Sequence, residues 1–373
     1  MRLVVGPLIA LQVISVVSVT LLPGATRADE PAPSAIPTPV PEPTSANPPA
    51  PQASPPVEKP AYAAIPDTTD PKAPSKATPP KAPPYSLPWQ LRPVIAPTVL
   101  RIDSTLSTYE DAAARPGRTV ATGLTGSYKI PGTGGPGSGL AVIGRLMLVD
   151  DSPPETPPTV GMPPAPTGGA ALVNPLLGAA YAMKLGNGFR TNFFFGVTLP
   201  IGMGGGATPD KGQANSRAKG INARAGMDNA LFAVNDLTVI PGASIAYVNH
   251  NLTVQLEATL LHLMRTRGEA VQKEATKTNF TTGLHVGYFF HPAFSVGTEL
   301  RYQRWLNAPF AVENDKTGAL IDNLTWAIGP RFHIKAGPVW IRPGLAYWRG
   351  LDKPLAAATP NYHSVQFDVP ILF

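Results

Sequence analysis

Cysteine is absent from all 373 residues. That excludes a disulfide framework, a cysteine-built zinc site, a thiol nucleophile and the acylated cysteine of a bacterial lipoprotein. Charge is scarce as well. Asp, Glu, Lys and Arg make up 14% of the chain and apolar residues 43%, whereas a soluble domain carries roughly 25% charged residues. So little charge fits a surface covered largely by something other than bulk water; a sparsely charged, secreted all-β binding protein is the soluble alternative. Long apolar runs are missing beyond the first few dozen residues. No later stretch approaches the roughly 18 uninterrupted apolar residues of a membrane helix. The formal charge is +6, yet the basic residues are scattered, without a Lys/Arg block or an interleaved aromatic patch, so nucleic acid is not an expected partner.

What is present divides the chain in three. Residues 1–28 read as a signal peptide: Arg2, an apolar run from Leu3 to Leu22, Pro23 and Gly24 as breaker, then small residues with Ala25 or Ala28 as the last removed. An uncleaved anchor is the alternative, because the run is long for an exported leader. Residues 29–88 hold 20 of the 46 prolines, too many for a helix or sheet interior. This tract is expected to be a disordered periplasmic linker. At about 3.1 Å per residue it reaches on the order of 180 Å when extended. It serves as a spacer or as an arm toward peptidoglycan or a periplasmic protein. Residues 89–373 change texture, and apolar and polar positions alternate in long runs.

Alternation marks strands with two different faces. Twelve are expected: 97–108, 118–130, 139–149, 171–185, 189–201, 237–248, 252–264, 279–290, 294–306, 322–334, 339–349 and 362–373. A tilted strand crosses a bilayer in about 9–11 residues, whereas globular strands average about 5–6. Short connections such as "GNG", "NHN" and "HPA" follow even-numbered strands, and long ones follow odd-numbered strands. That asymmetry places short turns on one side of a membrane and long loops on the other. An even count puts both termini on the short-turn, periplasmic side.

The faces agree. In 279–290, Phe280, Leu284, Val286, Tyr288 and Phe290 share one face, while Thr281, Gly283 and His285 share the other. In the last strand, Val365, Phe367, Val369, Ile371 and Phe373 alternate with Gln366, Asp368, Pro370 and Leu372. This strand resembles the C-terminal assembly signal of Gram-negative outer-membrane β-barrel proteins, and strand count and loop asymmetry extend the resemblance over roughly 91–373. The resemblance implies an all-β, antiparallel, transmembrane up-and-down barrel of about 12 strands in the bacterial outer membrane, among outer-membrane lipids and folded by the barrel-assembly machinery. No functional family within that class is indicated.

Alternation places Arg145, Lys184, Arg190, Glu257, His285, Glu299, Arg301, Arg331, His333, Arg342 and Asp368, with Lys129, on the inner face. These are the candidate pore-lining residues. An excess of inward Arg and Lys favours anionic solutes. The alternative is that the charges pair across strands and fill the barrel, with Glu299 or Glu257 beside His285 and Asp368 beside Arg342. The connection 202–236 either folds inward as a plug or caps the barrel from outside. Its second part carries Ala223, Met227, Ala230, Leu231 and Val234 at helical spacing. No His-x-Ser or Asp-x-His pair matches known outer-membrane hydrolases, His262 and His291 suit interfacial or turn positions, and no catalytic residue, cofactor or metal is expected. The expected function is a narrow channel or transporter for small polar or anionic solutes. The alternative is a closed structural or adhesive barrel displaying its outer loops.

Overall fold

The structure is a computed structural model and describes residues 85–155 and 167–373. The expected signal peptide, and the linker as far as residue 84, lie outside the described residues. Twelve antiparallel strands form a closed barrel. In chain order the strands are β1 (Val99–Glu110), β2 (Pro116–Lys129), β3 (Gly139–Ser152), β4 (Gly169–Leu172), β5 (Leu176–Gly186), β6 (Phe189–Thr198), β7 (Asp236–Asn249), β8 (Leu252–Arg265), β9 (Thr276–His291), β10 (Phe294–Asn307), β11 (Asp322–Phe332), β12 (Ile334–Ala336), β13 (Val339–Ile341), β14 (Gly344–Gly350) and β15 (His363–Leu372). Each barrel strand pairs with the next barrel strand, β3 with β5 and β11 with β14 where short strands intervene, and β15 pairs with β1 from Val99↔Leu372 to Thr108↔His363 to close the ring. Closure leaves no open edge to recruit another chain. The short β4 extends the β3 side, and β12 and β13 form a hairpin at one rim.

The elements differ from the sequence expectation where proline removes a ladder donor. The run expected at 171–185 splits at 173–175 ahead of β5, where Pro175 sits. The run at 339–349 splits at Arg342 and Pro343. Strand 189–201 stops at Thr198, ahead of Pro200. Elsewhere the boundaries move by a few residues.

Burial alternates along most of the wall. On β1, Leu100, Ile102 and Leu106 are exposed, while Asp103, Thr105 and Ser107 are buried. On β15, Val365 and Phe367 point out, while Ser364, Gln366 and Asp368 point in. The exterior therefore carries leucine, valine, isoleucine and phenylalanine, and the polar side chains face inward, the arrangement a lipid-embedded barrel requires. At the short-turn rim, Tyr288, Phe290, Phe294 and Phe332 form a chain of ring contacts with centroids 5.0 to 6.3 Å apart. Aromatic rings prefer that interfacial depth because they are apolar with a polarisable edge.

Two chain segments occupy the interior. The first, residues 85–98, precedes β1 and contributes the buried Tyr85, Leu87, Trp89, Leu91 and Val94; its first four residues were expected at the end of the linker. The second is the connection 199–235, which holds α1 (Lys211–Ala223) and α2 (Asn229–Phe232) and lies inside rather than over the barrel. Asp210 caps α1, its carboxylate accepting from the Gln213 amide at 2.8 Å. The helix expected through 223–234 is interrupted: Ala225 and Gly226 have φ of 57° and 68°, and the left-handed pair ends α1. Its apolar residues are buried all the same, with Ala230, Leu231 and Phe232 packed on Met147, Val149, Leu261 and Leu263.

A lumen closed by two segments of its own chain

Eight strands enclose a space that side chains fill, and sixteen leave a channel. Twelve strands enclose an intermediate volume, and here residues 85–98 and 199–235 take it up. They are called the arm and the plug below.

The arm is seated by polar contacts to the inner wall. Its Trp89 amide donates to Glu299, and the Gln90 amide donates to the other oxygen of that carboxylate at 3.2 Å. The Trp89 carbonyl accepts from Arg101 and from Gln366, the latter at 3.1 Å. Arg92 donates to Glu257 from its main chain at 2.5 Å and from its guanidinium at 2.6 Å. Tyr85 donates its hydroxyl to Gln255 at 2.5 Å. The wall is cut to receive it. A Cβ at Gly344 would lie 2.6 Å from the Trp89 ring, and one at Gly283 would lie 2.6 Å from Leu91. Trp89 is 1% exposed and has the Arg331 guanidinium 4.3 Å from its ring centroid, so a cation–π contact adds to its burial.

The plug is held by a buried ion cluster. Arg224 donates to Asp103 at 2.7 Å and to Asp228 at 2.9 Å, and Arg145 donates to Asp228 at 2.8 Å. Burial alone would raise the Asp228 carboxyl, but Arg145 and Arg224 hold it down at about 2. Asn229 donates to Gln303 at 2.9 Å. Toward the long-loop end, the Lys219 ammonium stands 3.7 Å from the centroid of Tyr109, whose hydroxyl donates to Asp151 at 3.2 Å. Burial pushes Lys219 down to about 7, with Asp151 opposing in part.

Each expected inward residue has a definite place. Glu257 and Glu299 take the arm. Arg301 donates to Glu299 at 2.8 Å. Arg331 donates to Asp368 at 2.6 Å and to the Arg342 carbonyl at 2.9 Å. Arg342 is not beside Asp368 as expected: the register sets Gly344 opposite Asp368, and Arg342 instead donates to the Tyr85 carbonyl at 3.3 Å. The second partner of Asp368 is Arg101, at 2.8 Å. His333 meets the Ser295 hydroxyl at 2.8 Å. Lys184 is exposed at the short-turn rim, half-buried Arg190 lies directly across from it, and Lys129 donates to the Gly134 and Gly135 carbonyls of the adjoining turn. His262 faces outward and meets Thr278.

Several functional contacts were not anticipated. Arg101 and Asp103 lie in β1, where neighbouring prolines blur the alternation. Asp236 and Lys277, paired at 2.7 Å, sit at strand ends. Ser86, His285 and Glu299 form a chain, with the Ser86 hydroxyl 3.3 Å from His285 and the other ring nitrogen 3.6 Å from Glu299. The order is that of a nucleophile, base and acid, yet the Glu299 carboxylate is already engaged by Arg301 and two arm amides. The chain of contacts holds the arm in place.

No family model matches the chain, and no curated protein matches it. Solved structures of outer-membrane barrels are similar in shape. An outer-membrane channel from Pseudomonas putida F1 aligns with TM-score 0.48 and 12% identity over 76% of this chain and 97% of that one. The NanC porin aligns at 0.40 and 9% over 74% and 98%. LpxR from Salmonella typhimurium aligns at 0.36 and 10% over 73% and 100%.

Proposed function

We propose that this chain is an outer-membrane channel for small polar solutes, closed at rest by its arm and plug and favouring anions when they move. One observation carries the reading: hydrogen bonds and ion pairs to buried charged side chains of the wall anchor both segments, beside an apolar patch at Met147, Val149, Leu261 and Leu263 that receives the plug. A barrel filled once and for all gains most from an apolar core, since well-packed apolar groups replace buried ion pairs at little or no cost in stability. A polar seat is one that water and solute can reoccupy.

The charge left on the wall sets the preference. With the arm withdrawn, Arg92 leaves Glu257, while Arg101, Arg190, Arg301, Arg331 and Arg342 remain on the arm's half against Glu257, Glu299 and Asp368. Lys129 and Lys184 guard the rim. These residues would line the arm's half of the path, and their positive excess raises the local concentration of anions there. The orientation follows the loop asymmetry, with short turns and residues 29–84 on the periplasmic side, where that tract would meet peptidoglycan or a periplasmic protein. The outward Val365, Phe367, Val369, Ile371 and Phe373 of the closing strand are the surface offered to the barrel-assembly machinery.

Planar-bilayer recording under a salt gradient tests the reading. The expected outcome is intermittent conductance with an anion-selective reversal potential; cation selectivity overturns the charge argument. A second reading, a closed structural barrel displaying its loops, is favoured by the filled lumen itself. Conductance absent even after the arm is displaced would select it.

A further inference from the structure

Between the arm and the plug lies a layer of inner-wall side chains that neither segment satisfies. Arg301 is fully buried and spends Nε on Glu299. Its Nη1 and Nη2 have no hydrogen-bond partner among the described residues. The register sets Thr325 opposite Arg301, and Asn323 opposite Gln303 one inward step further along. Leu91 of the arm closes the layer from one side, against Gly283 opposite Arg301. Gly226 of the plug closes it from the other, against Asn323 and Gln303.

The unpartnered atoms are of two kinds. Arg301 offers donors. Asn229, Asn279 and Asn323 offer side-chain carbonyl oxygens, and Thr325 its hydroxyl. The amide orientation of two of these is fixed, because Asn229 and Asn279 both donate through Nδ2 to the Gln303 carbonyl oxygen, at 2.9 and 2.7 Å. Their own oxygens therefore await donors. Buried polar groups in native proteins are paired with protein, water or ligand, and a free guanidinium fork suits the two oxygens of a carboxylate. An acceptor-only anion would leave the amide oxygens unmet. An ammonium donor would lack a counter-ion, since Asp228 and Glu299 are both taken by arginine.

Resting on the reading of the lumen as a solute path, we propose that this layer is an occluded binding site for a small hydroxylated carboxylate. The carboxylate accepts from Nη1 and Nη2 of Arg301. The hydroxyls donate to Asn229, Asn279, Asn323 and Thr325. The arm and the plug each cover one face, so exchange requires one of them to move, and the bound solute is released on the side that opens.

Equilibrium dialysis of the full-length chain in detergent, run long enough for the segments to exchange, tests the site. The probes are gluconate, propionate and glucose. Gluconate is retained, and propionate, which lacks hydroxyls, and glucose, which lacks the carboxylate, bind at least about tenfold more weakly. Thr325→Val, nearly isosteric, weakens gluconate about fivefold and leaves propionate unchanged, the loss of about one hydrogen bond. Arg301→Lys keeps the charge beside Glu299 but loses the fork, and weakens both carboxylates. Asn229→Leu, on the plug rather than the wall, repeats the gluconate-specific loss should a wall variant fail to assemble. Equal retention of the three probes, or gluconate binding indifferent to these variants, overturns the site. Conductance is scored separately: gluconate binding without conductance overturns the channel and leaves the site, and conductance without gluconate binding does the reverse.

Discussion

Replacing Trp89 with alanine should loosen the arm, and the structure gives the size of the effect. Trp89 is almost wholly buried and stacks against Arg331. Removing so large a buried ring costs about 3–5 kcal/mol. The main-chain bonds from residue 89 to Glu299, Arg101 and Gln366 do not depend on the side chain and persist. The unseated fraction therefore rises roughly a hundredfold to a few thousandfold, at about 1.4 kcal/mol per decade. Gly344→Ala attacks the same contact from the wall. Its methyl would lie 2.6 Å from the Trp89 ring and 3.1 Å from the Pro330 carbonyl, an overpacking worth about 1–3 kcal/mol. In the Trp89→Ala background the ring is gone and the remaining close neighbour, the Pro330 carbonyl, belongs to the wall whether the arm is seated or not, so the double variant should open no more than Trp89→Ala alone. Open probability in planar bilayers, measured over the four members of this cycle, reads the coupling directly. Additive effects would refute the placement of Trp89 on Gly344, and four indistinguishable open probabilities would refute the arm as the obstruction.

Three further outcomes follow from the plug and the wall. Asp228→Asn leaves Arg145 and Arg224 without a shared carboxylate; breaking a buried pair costs about 3–5 kcal/mol, and added protease should cut within 202–235 much faster than in the parent barrel. Burial disfavours the Lys219 ammonium and pulls its pKa down to about 7, so seating the plug at neutral pH works against that charge. Lys219→Met removes the charge and should make openings rarer at neutral pH in single-channel records. Arg342→Gln removes a wall cation whose guanidinium donates to the arm at the Tyr85 carbonyl, so the reversal potential under a salt gradient should move toward zero while the barrel's heat-modified gel migration stays unchanged.

Much of the barrel was legible because its solvent is divided. A strand with lipid outside and polar groups inside must alternate, and alternation survives in any single sequence. Strands β7 to β11 illustrate this, each lying within a few residues of its expected span. Proline broke the pattern at Pro175 and Pro343, where a long run was read as one strand. Inward orientation was legible for Glu257, His285, Glu299, Arg301, Arg331 and Asp368 for the same reason.

The contents of the lumen were much less legible. Whether 202–236 folds in or out depends on Arg224 reaching Asp103, 121 residues away, and no local pattern records such a pairing. Lys211–Ala223 is mostly small and polar, with Ile221 its one large apolar side chain, so α1 shows no apolar stripe; its burial comes from the wall that surrounds it. The arm was hidden by its own composition. Tyr85, Leu87, Trp89 and Leu91 alternate with Ser86, Pro88 and Gln90, but the prolines around them read as linker. A signal was present in the inward glycines at 283, 287 and 344. A wall position that must be empty on the inner face points to something packed against it, and three such positions on two strands mark the track of a chain.

The absence of native cysteine makes the central claim directly testable. Gly283 and Leu91 face each other, a Cβ at 283 lying 2.6 Å from one Leu91 methyl and 3.1 Å from the other. The Leu91 Cβ lies two bonds behind those methyls, so a small advance of the arm brings the pair to the ~3.5–4.5 Å Cβ separation of a disulfide. The variant Leu91→Cys with Gly283→Cys, reconstituted in planar bilayers, should pass no current when oxidised. Addition of reductant should produce anion-selective openings more frequent than those of the parent chain. A disulfide that fails to form in the folded barrel, or the same current before and after reduction, would contradict a lumen closed by its own arm.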